Sequence, residues 1–196
     1  MKYISSVICC FVSLLGLSGS CFAKEITGVD IEEVVTISPG SEPLRLKGAA
    51  IKSNARQAVY VGGLYLEDED SKSTSVEEIL ASNGAKRFVL YCQNSTIKPE
   101  ALIRAFNLGI TVNHSEEELE ALAPMVKQFN KIWNSEIHQG DKVWIDFIPE
   151  KGTLVSINGE EKGVIPGKTF YDAFLKTWLG NKPLNPSMKK QILGTE

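Results

Sequence analysis

The sequence predicts an α+β fold in which an antiparallel sheet is covered on one face by helices. β-rich segments follow one another along the first half of the chain, and helical periodicity is grouped in blocks at 99–133 and 167–193. The dipeptide Asn158-Gly159 between two short apolar runs predicts a tight hairpin, which joins antiparallel strands. Grouped helices, as opposed to strictly alternating strands and helices, favour α+β over a parallel sheet.

The first strands are predicted between residues 26 and 66. Ile26 to Ile37 carries Val and Ile at odd and even positions and predicts one strand, which ends at the turn formed by residues 38–41. Residues 44–52 and 58–66 predict two more strands. Because glycine weakens a strand interior, we expect a bend or bulge at Gly62-Gly63.

The middle of the chain predicts a short helix, a buried strand and two longer helices. Ser75-Val76-Glu77-Glu78 is a capping box, and Asn83-Gly84 closes the helix that it opens. Residues 87–93 form the buried strand. Pro99 begins a helix and Ser115 caps the next one, in which Pro124 is expected to cause a kink or a break. Their apolar stripes are Leu102, Ile103, Phe106 and Ile110, then Leu119, Leu122, Val126, Phe129 and Trp133.

The last part predicts three strands and two helices. Residues 142–148 alternate, with Val143, Ile145 and Phe147 on one side and Trp144 on the other. Residues 152–157 and 161–165 flank the hairpin turn. A helix over 167–179 ends at Gly180, and Asn185-Pro186 caps a final helix that reaches Leu193.

Residues 1–23 resemble a secretory signal peptide. Lys2 gives the positive start, residues 4–17 the apolar region, and Cys21-Phe22-Ala23 a small-residue cleavage site. Cleavage after Ala23 predicts a periplasmic or secreted protein, with residues 24–196 as a single domain. Lipid attachment at Cys21 is the alternative. No other segment is long and apolar enough to span a membrane.

The amino-acid composition limits the kinds of molecule that the protein is expected to bind. The whole chain has a formal net charge of −3, and removal of the signal with Lys2 makes it one unit more negative. Nucleic-acid binding requires a basic face, so nucleic acid is excluded as a partner. Three of the four cysteines lie in the signal, which leaves Cys92 in an apolar run and predicts a buried structural thiol.

The sequence contains no recognisable catalytic or cofactor motif. His114 and His138 have no cysteine or histidine at metal-ligand spacing, so no metal site is predicted. No nucleophile elbow, P-loop or dinucleotide fingerprint is present, and no cofactor is expected.

The stretch from Gly48 to Glu67 is the best candidate for one wall of a pocket. In an extended strand Lys52, Asn54 and Arg56 share one face, with Tyr60 at the same parity. A cation beside a tyrosine and close-packing glycines fits a binding site. A solvated edge strand explains the same pattern, because charged residues are mostly exposed.

Three motifs in order resemble the chalcone isomerase-like family, in its bacterial secreted branch. They are Gly48-Ala49-Ala50-Ile51-Lys52 with Gly63-Leu64-Tyr65-Leu66-Glu67, then residues 155–167 around Asn158-Gly159, then Phe174 to Gly180. Together they span about residues 44–194. The resemblance implies an open-faced β-sandwich, which agrees with the α+β prediction from the residues alone.

The resemblance implies either ring closure by an isomerase or binding of a fatty acid. Lys52 stands where the plant enzymes have an arginine, and Tyr60 where they have a threonine. Lys98 and Ala105 replace a tyrosine and an asparagine, and Asn107 lies nearby. Only the hydroxyl of Thr177 is retained in kind, so chalcone cyclisation is not expected and no catalytic residue is assigned.

We therefore predict a non-catalytic binder of a small apolar anionic ligand such as a fatty acid. The predicted ligand-binding residues are Lys52, Arg56, Tyr60, Asn107 and Thr177. An isomerase and a structural or partner-binding protein are the alternatives. The sequence does not indicate an oligomeric state.

Overall fold

A computed structural model describes residues 23–55 and 57–195 of the chain. The predicted signal peptide, apart from its last residue, lies outside the described residues, and so does Arg56. None of the described helices is long and apolar enough to cross a membrane.

A seven-stranded antiparallel sheet forms the centre of the fold. The seven strands are β3 (Val34–Val35), β4 (Leu44–Ser53), β5 (Ala58–Leu66), β6 (Lys86–Cys92), β9 (Lys142–Ile148), β10 (Gly152–Ile157) and β11 (Glu160–Ile165). Their order in the sheet is β11-β10-β9-β6-β5-β4-β3. Strands that follow one another in this series are neighbours in the sheet, and the chain between the paired strands β6 and β9 contains two helices. This confirms the predicted sheet.

The segment from Ile26 to Ile37 differs from its prediction as one strand. It contributes to a hairpin of β1 (Ala23–Ile26) and β2 (Val29–Glu32), followed by the short strand β3. Thr27 and Gly28 both have positive φ, at 47° and 77°, which is the backbone of a two-residue hairpin turn. Thr-Gly is not a strong turn signal, and the apolar pattern continues on both sides of it. The reversal of chain direction at this point was therefore not predicted.

Strands β4 and β5 form the hairpin that contains the candidate pocket wall. Ala49 pairs with Gly63 and Ala50 with Gly62, so the glycine pair is regular. The register shifts lie elsewhere in the hairpin, where Lys47 is the extra residue of β4 and Val59 is the extra residue of β5.

The proposed face of Lys52, Asn54 and Arg56 is not one extended strand, because β4 ends at Ser53. The turn then begins: the backbone N–H of Asn54 donates to the carbonyl of Gln57, and the Asn54 side chain accepts from the N–H of Gln57.

Six helices complete the described part of the chain, together with a small sheet of β7 (Thr96–Ile97) and β8 (Ile137–His138). The helices are α1 (Asp68–Ser71), α2 (Val76–Ala81), α3 (Pro99–Thr111), α4 (Glu116–Ile132), α5 (Thr169–Leu179) and α6 (Pro186–Leu193). Pro124 lies inside α4, and the predicted break does not occur. The short elements α1, β7 and β8 were not predicted, because none is long enough to show a period.

The caps follow the local sequence. Ser115 accepts from the backbone of Glu118, whose carboxylate accepts from the Ser115 N–H, and this completes a capping box. Asn185 accepts from the first turn of α6. Such caps satisfy N–H groups that have no partner within the helix, and each contributes about 1 kcal/mol.

The two faces of the sheet carry separate hydrophobic cores. Helices α3 to α6 pack on one face, where the core joins alternate residues of β6 and β9 to the buried side of α5. The other face holds a smaller cluster that includes Val29 and Ile31 of the β1–β2 hairpin. Trp144 lies on this second face, as its alternation with Val143 and Ile145 predicted.

Helix α6 approaches β4 at Gly48. A Cβ atom built at this position would lie 2.6 Å from the carbonyl oxygen of Gln191 and would also overlap the carbonyl of Ile192. The small-residue run therefore serves as the contact surface of the C-terminal helix.

We expect Gly48→Ala to lower the free energy of unfolding by about 1–3 kcal/mol, because the added methyl group meets backbone atoms of α6. Urea denaturation would measure the change. Gly62→Ala in the same hairpin is the matched control. Its built Cβ has three nearest neighbours at 3.3 Å, all side-chain atoms, which can move. Equal losses for the two variants would contradict this account of Gly48.

Candidate functional site

Lys52 and Tyr60 are cross-strand neighbours at the end of the β4–β5 hairpin. Residues that pair directly across two strands point to the same face, and Tyr60 reaches the helix-covered face. The Tyr60 hydroxyl accepts a hydrogen bond of 3.0 Å from the indole Nε1 of Trp178 in α5. Lys52 is partly exposed and forms no ion pair with another residue of the described chain.

The environment of Tyr60 keeps its phenol neutral. Burial raises the pKa of Tyr60 to about 12, although the hydrogen bond from Trp178 acts in the opposite direction. At neutral pH the hydroxyl therefore cannot serve as an anionic base. Its oxygen is already engaged by a donor, which suits an anchoring role better than proton transfer.

Aromatic side chains fill the space behind Tyr60. The ring of Trp178 stacks on Phe88 with centroids 4.1 Å apart, and Phe174 lies edge-on to Trp178 at 4.9 Å. Phe106 of α3 contacts both α5 rings. A ligand chain entering between the sheet and α5 would have to displace these rings.

Thr177 is fully buried and faces α3. A Cβ atom built on Gly109 would lie 2.8 Å from the Cβ of Thr177, so the two helices touch at this point. The Thr177 Oγ1 has no hydrogen-bond partner within the described part of the chain. Thr177 thus packs α5 against α3.

Asn107 lines a groove between α3 and α4, which we call the α3–α4 groove. Its volume is about 590 Å³, within the range of roughly 300–1,000 Å³ typical of small-molecule sites. The residues that line it are Asn107, Ile110, Thr111, Leu119, Ala123, Val126, Lys127, Asn130 and Lys131.

Two buried amide oxygens lie on the lining residues of the groove. Asn107 Oδ1 and Asn130 Oδ1 have no hydrogen-bond partner among the residues that the structure describes. A buried polar atom without a partner costs about 1–3 kcal/mol, so a molecule that offers a donor would be favoured here.

The edge of the same groove is cationic. Lys127 and Lys131 are one turn apart on α4, both exposed, and no ion pair within residues 23–55 and 57–195 involves either of them. Like charges at this spacing destabilise a helix slightly, and an anion held between them would relieve the repulsion.

Four of the five predicted ligand-binding residues lie in the described chain, on four different elements. Lys52 and Tyr60 lie side by side, Thr177 packs on Gly109, and Asn107 faces α4. Arg56 is outside the described residues. Their roles in binding stay predictions, and the structure adds Asn130, Lys127 and Lys131, which the sequence analysis did not select.

A pattern in α4 could have revealed the added residues. Leu119, Ala123, Val126 and Asn130 follow at intervals of three or four, so they share one helix face. An asparagine that continues an apolar stripe is a polar group directed toward a protected surface. The predicted stripe instead continued to Phe129 and Trp133, which belong to the core.

Comparison with known proteins gives a family and a fold. A sequence model described as chalcone isomerase-like matches residues 23–194. A fatty-acid binding protein of Arabidopsis thaliana has a similar structure, with 15% sequence identity and a TM-score of 0.63. The alignment covers 88% of this chain and 95% of the plant protein. No curated protein sequence matches.

We expect Tyr60→Phe to destabilise the fold by about 1–3 kcal/mol, because it leaves the buried N–H of Trp178 without an acceptor. A double-mutant cycle with Trp178→Phe, followed by urea denaturation, isolates the hydrogen bond. Since Trp178→Phe removes the donor, adding Tyr60→Phe to that variant should cost much less. Strictly additive losses would show that Tyr60 and Trp178 do not interact.

Proposed function

We propose that this chain, which belongs to the chalcone isomerase-like family, is an exported, non-catalytic binder of a small apolar anionic ligand such as a fatty acid. The observation that carries the proposal is the α3–α4 groove. It combines apolar walls, two asparagine amides and a cationic edge.

The walls of the groove suit an acyl chain. Ile110 of α3 and Leu119, Ala123 and Val126 of α4 present aliphatic surface. Burying such surface on both partners gains roughly 25 cal/mol per Å². The groove runs between two helices that pack on the core, so it exists without rearrangement of the aromatic rings behind Tyr60.

The polar groups suit the head of the same ligand. A carboxylate beside Lys127 and Lys131 would accept charge-assisted hydrogen bonds, which are about twice as strong as neutral ones. Each asparagine amide carries two N–H donors as well as its oxygen. The N–H donors of Asn107 and Asn130 therefore suit a carboxylate, whereas their oxygens would accept only from a ligand that also carries a donor.

The arrangement of hydroxyl groups argues against the isomerase alternative. Ring closure needs donors placed together around one developing charge. Here the Tyr60 hydroxyl accepts from Trp178, and the Thr177 hydroxyl is packed against Gly109. Asn107 faces a different helix. No hydrogen bond links these groups to one another within the described chain.

The named function of the Arabidopsis protein supports the ligand class. That protein is described as fatty-acid binding, and at 15% identity the likeness concerns the fold. A structural or partner-binding role would leave the groove unused as a ligand site. Ligand titration separates these possibilities.

We expect the protein to bind a fluorescent fatty acid, and the double variant Lys127→Met/Lys131→Met to weaken binding about tenfold or more. Fluorescence titration measures the dissociation constant. Methionine keeps the length of the side chain and removes its charge, so the fold should persist. Lys151→Met, in the turn after β9, is the control and should bind as the wild type does.

The same titration tests Lys52. If Lys52→Met weakens binding while the double variant does not, the ligand lies at the Lys52–Tyr60 pair and the groove assignment is wrong. If the wild-type protein does not bind the probe, the binding proposal fails and the partner-binding role is favoured.

Export is the second part of the proposal. Cleavage after Ala23 would leave the hairpin pairs Lys24–Ile31, Glu25–Asp30 and Ile26–Val29 intact, because only the Ala23–Glu32 pair is lost. We expect N-terminal sequencing of the exported protein to begin at Lys24. A chain that begins at a lipid-modified Cys21 would instead indicate a membrane-anchored protein.

A further inference from the structure

The face of the sheet opposite the helices contains a cavity of about 230 Å³, which we call the open-face cavity. Its floor is formed by alternate residues of β6 and β9, and the segment after β2 forms one side. The lining residues are Glu32, Val35, Thr36, Tyr65, Arg87, Val89, Tyr91, Lys142 and Trp144. For comparison, a cavity of about 150 Å³ is large enough to hold benzene.

A buried guanidinium is fixed at one end of this cavity. Arg87 is 7% exposed and makes two hydrogen bonds of 2.7 and 2.8 Å to Asp146, which is 1% exposed. Its third nitrogen donates to the carbonyl of Thr36 at 3.3 Å. An arginine has five N–H groups, so two remain available after these three bonds.

The other end of the cavity also offers donors. The Tyr65 hydroxyl donates to the carbonyl of Glu32 at 2.8 Å and lies 3.5 Å from the Tyr91 hydroxyl. The Tyr91 proton is therefore free for a ligand or for a weak bond to Tyr65. Lys142 Nζ lies 5.4 Å from the centre of the Tyr91 ring and pairs with no carboxylate in the described chain.

The walls between these donors are flat and aromatic. The Arg87 guanidinium lies 4.9 Å from the ring of Trp144, so the arginine and the indole brace one another. Val89 and the tyrosine rings form the rest of the floor. Glu32 is the acidic lining residue, and because it is exposed, water screens its charge. The open-face cavity thus offers more available hydrogen-bond donors than acceptors, and its walls are planar.

We propose that the open-face cavity is a binding site for a small aromatic carboxylate, with the ring against Trp144 and the carboxylate bound by Lys142 and Tyr91, at the end opposite Arg87. A planar ring can pack against the indole and phenol rings that line the cavity, and a carboxylate accepts from several donors at once. The site is separated by the sheet from the α3–α4 groove, and it does not rest on the function proposed for that groove.

The test uses 4-hydroxybenzoate as the probe and the indole N–H resonances of ¹⁵N-labelled protein as the readout. Trp144 lines the cavity, whereas Trp133 and Trp178 are buried on the helix side. Assignment of the Trp144 resonance follows from Trp144→Phe. We expect a saturable shift of Trp144, with Trp133 and Trp178 unchanged.

Two variants and one ligand analogue test which side chains bind the carboxylate and whether its charge is needed. Lys142→Met should raise the dissociation constant about tenfold, and Tyr91→Phe should raise it severalfold, because each removes a donor. Lys151→Met, which follows the same strand, should leave it unchanged. The neutral analogue 4-hydroxybenzyl alcohol should bind at least about tenfold more weakly than the acid.

Three results would overturn the proposal. They are the absence of a saturable Trp144 shift, an unchanged affinity in both Lys142→Met and Tyr91→Phe, and equal binding of the acid and its alcohol. A dispersed spectrum like that of the wild type shows that each variant is folded. Because the fluorescent fatty acid reports on the helix side, failure there and failure here are separate results.

Discussion

The stacking of Trp178 on Phe88 is the contact on which the helix-covered half of the protein depends. It joins the middle of the sheet to α5, and the same indole donates to the Tyr60 hydroxyl at the end of the β4–β5 hairpin. Helix α5 then fixes α3 through the contact of Thr177 with Gly109. Since α4 follows α3 after a short turn, the position of the groove between them follows from the position of α5.

The sequence predicts most of this framework because its signals are local. Side-chain alternation placed Trp144 and Val143 on opposite faces, and the Asn158-Gly159 hairpin has the positive φ angles that its dipeptide requires. The chalcone isomerase-like resemblance is likewise confirmed as the family. The hairpin at Thr27-Gly28 was missed, because its turn residues are weak signals within a continuous apolar run.

The candidate sites are less predictable because they depend on how elements meet. Neither the bond between Trp178 and Tyr60 nor the contact of Thr177 with Gly109 follows from a periodic pattern. The family resemblance suggests that Lys52, Tyr60 and Thr177 belong to one binding site. The packing of the aromatic side chains, however, determines which of these residues lie close together. Asn130 is the opposite case. Its spacing from Val126 and Ala123 reveals the helix face on which it lies, but not that this face lines a groove.

Cys92 provides a practical consequence of the same burial. Within the described residues, Cys92 is the one free cysteine, and its side chain is buried in β6. Burial raises the pKa of its thiol to about 12. A thiol reagent acts on the thiolate, which is scarce at such a pKa. A cysteine introduced at the edge of the α3–α4 groove or of the open-face cavity would therefore react selectively with a thiol-reactive fluorophore or spin label. Distances across the sheet could then be followed in solution without first removing the native thiol.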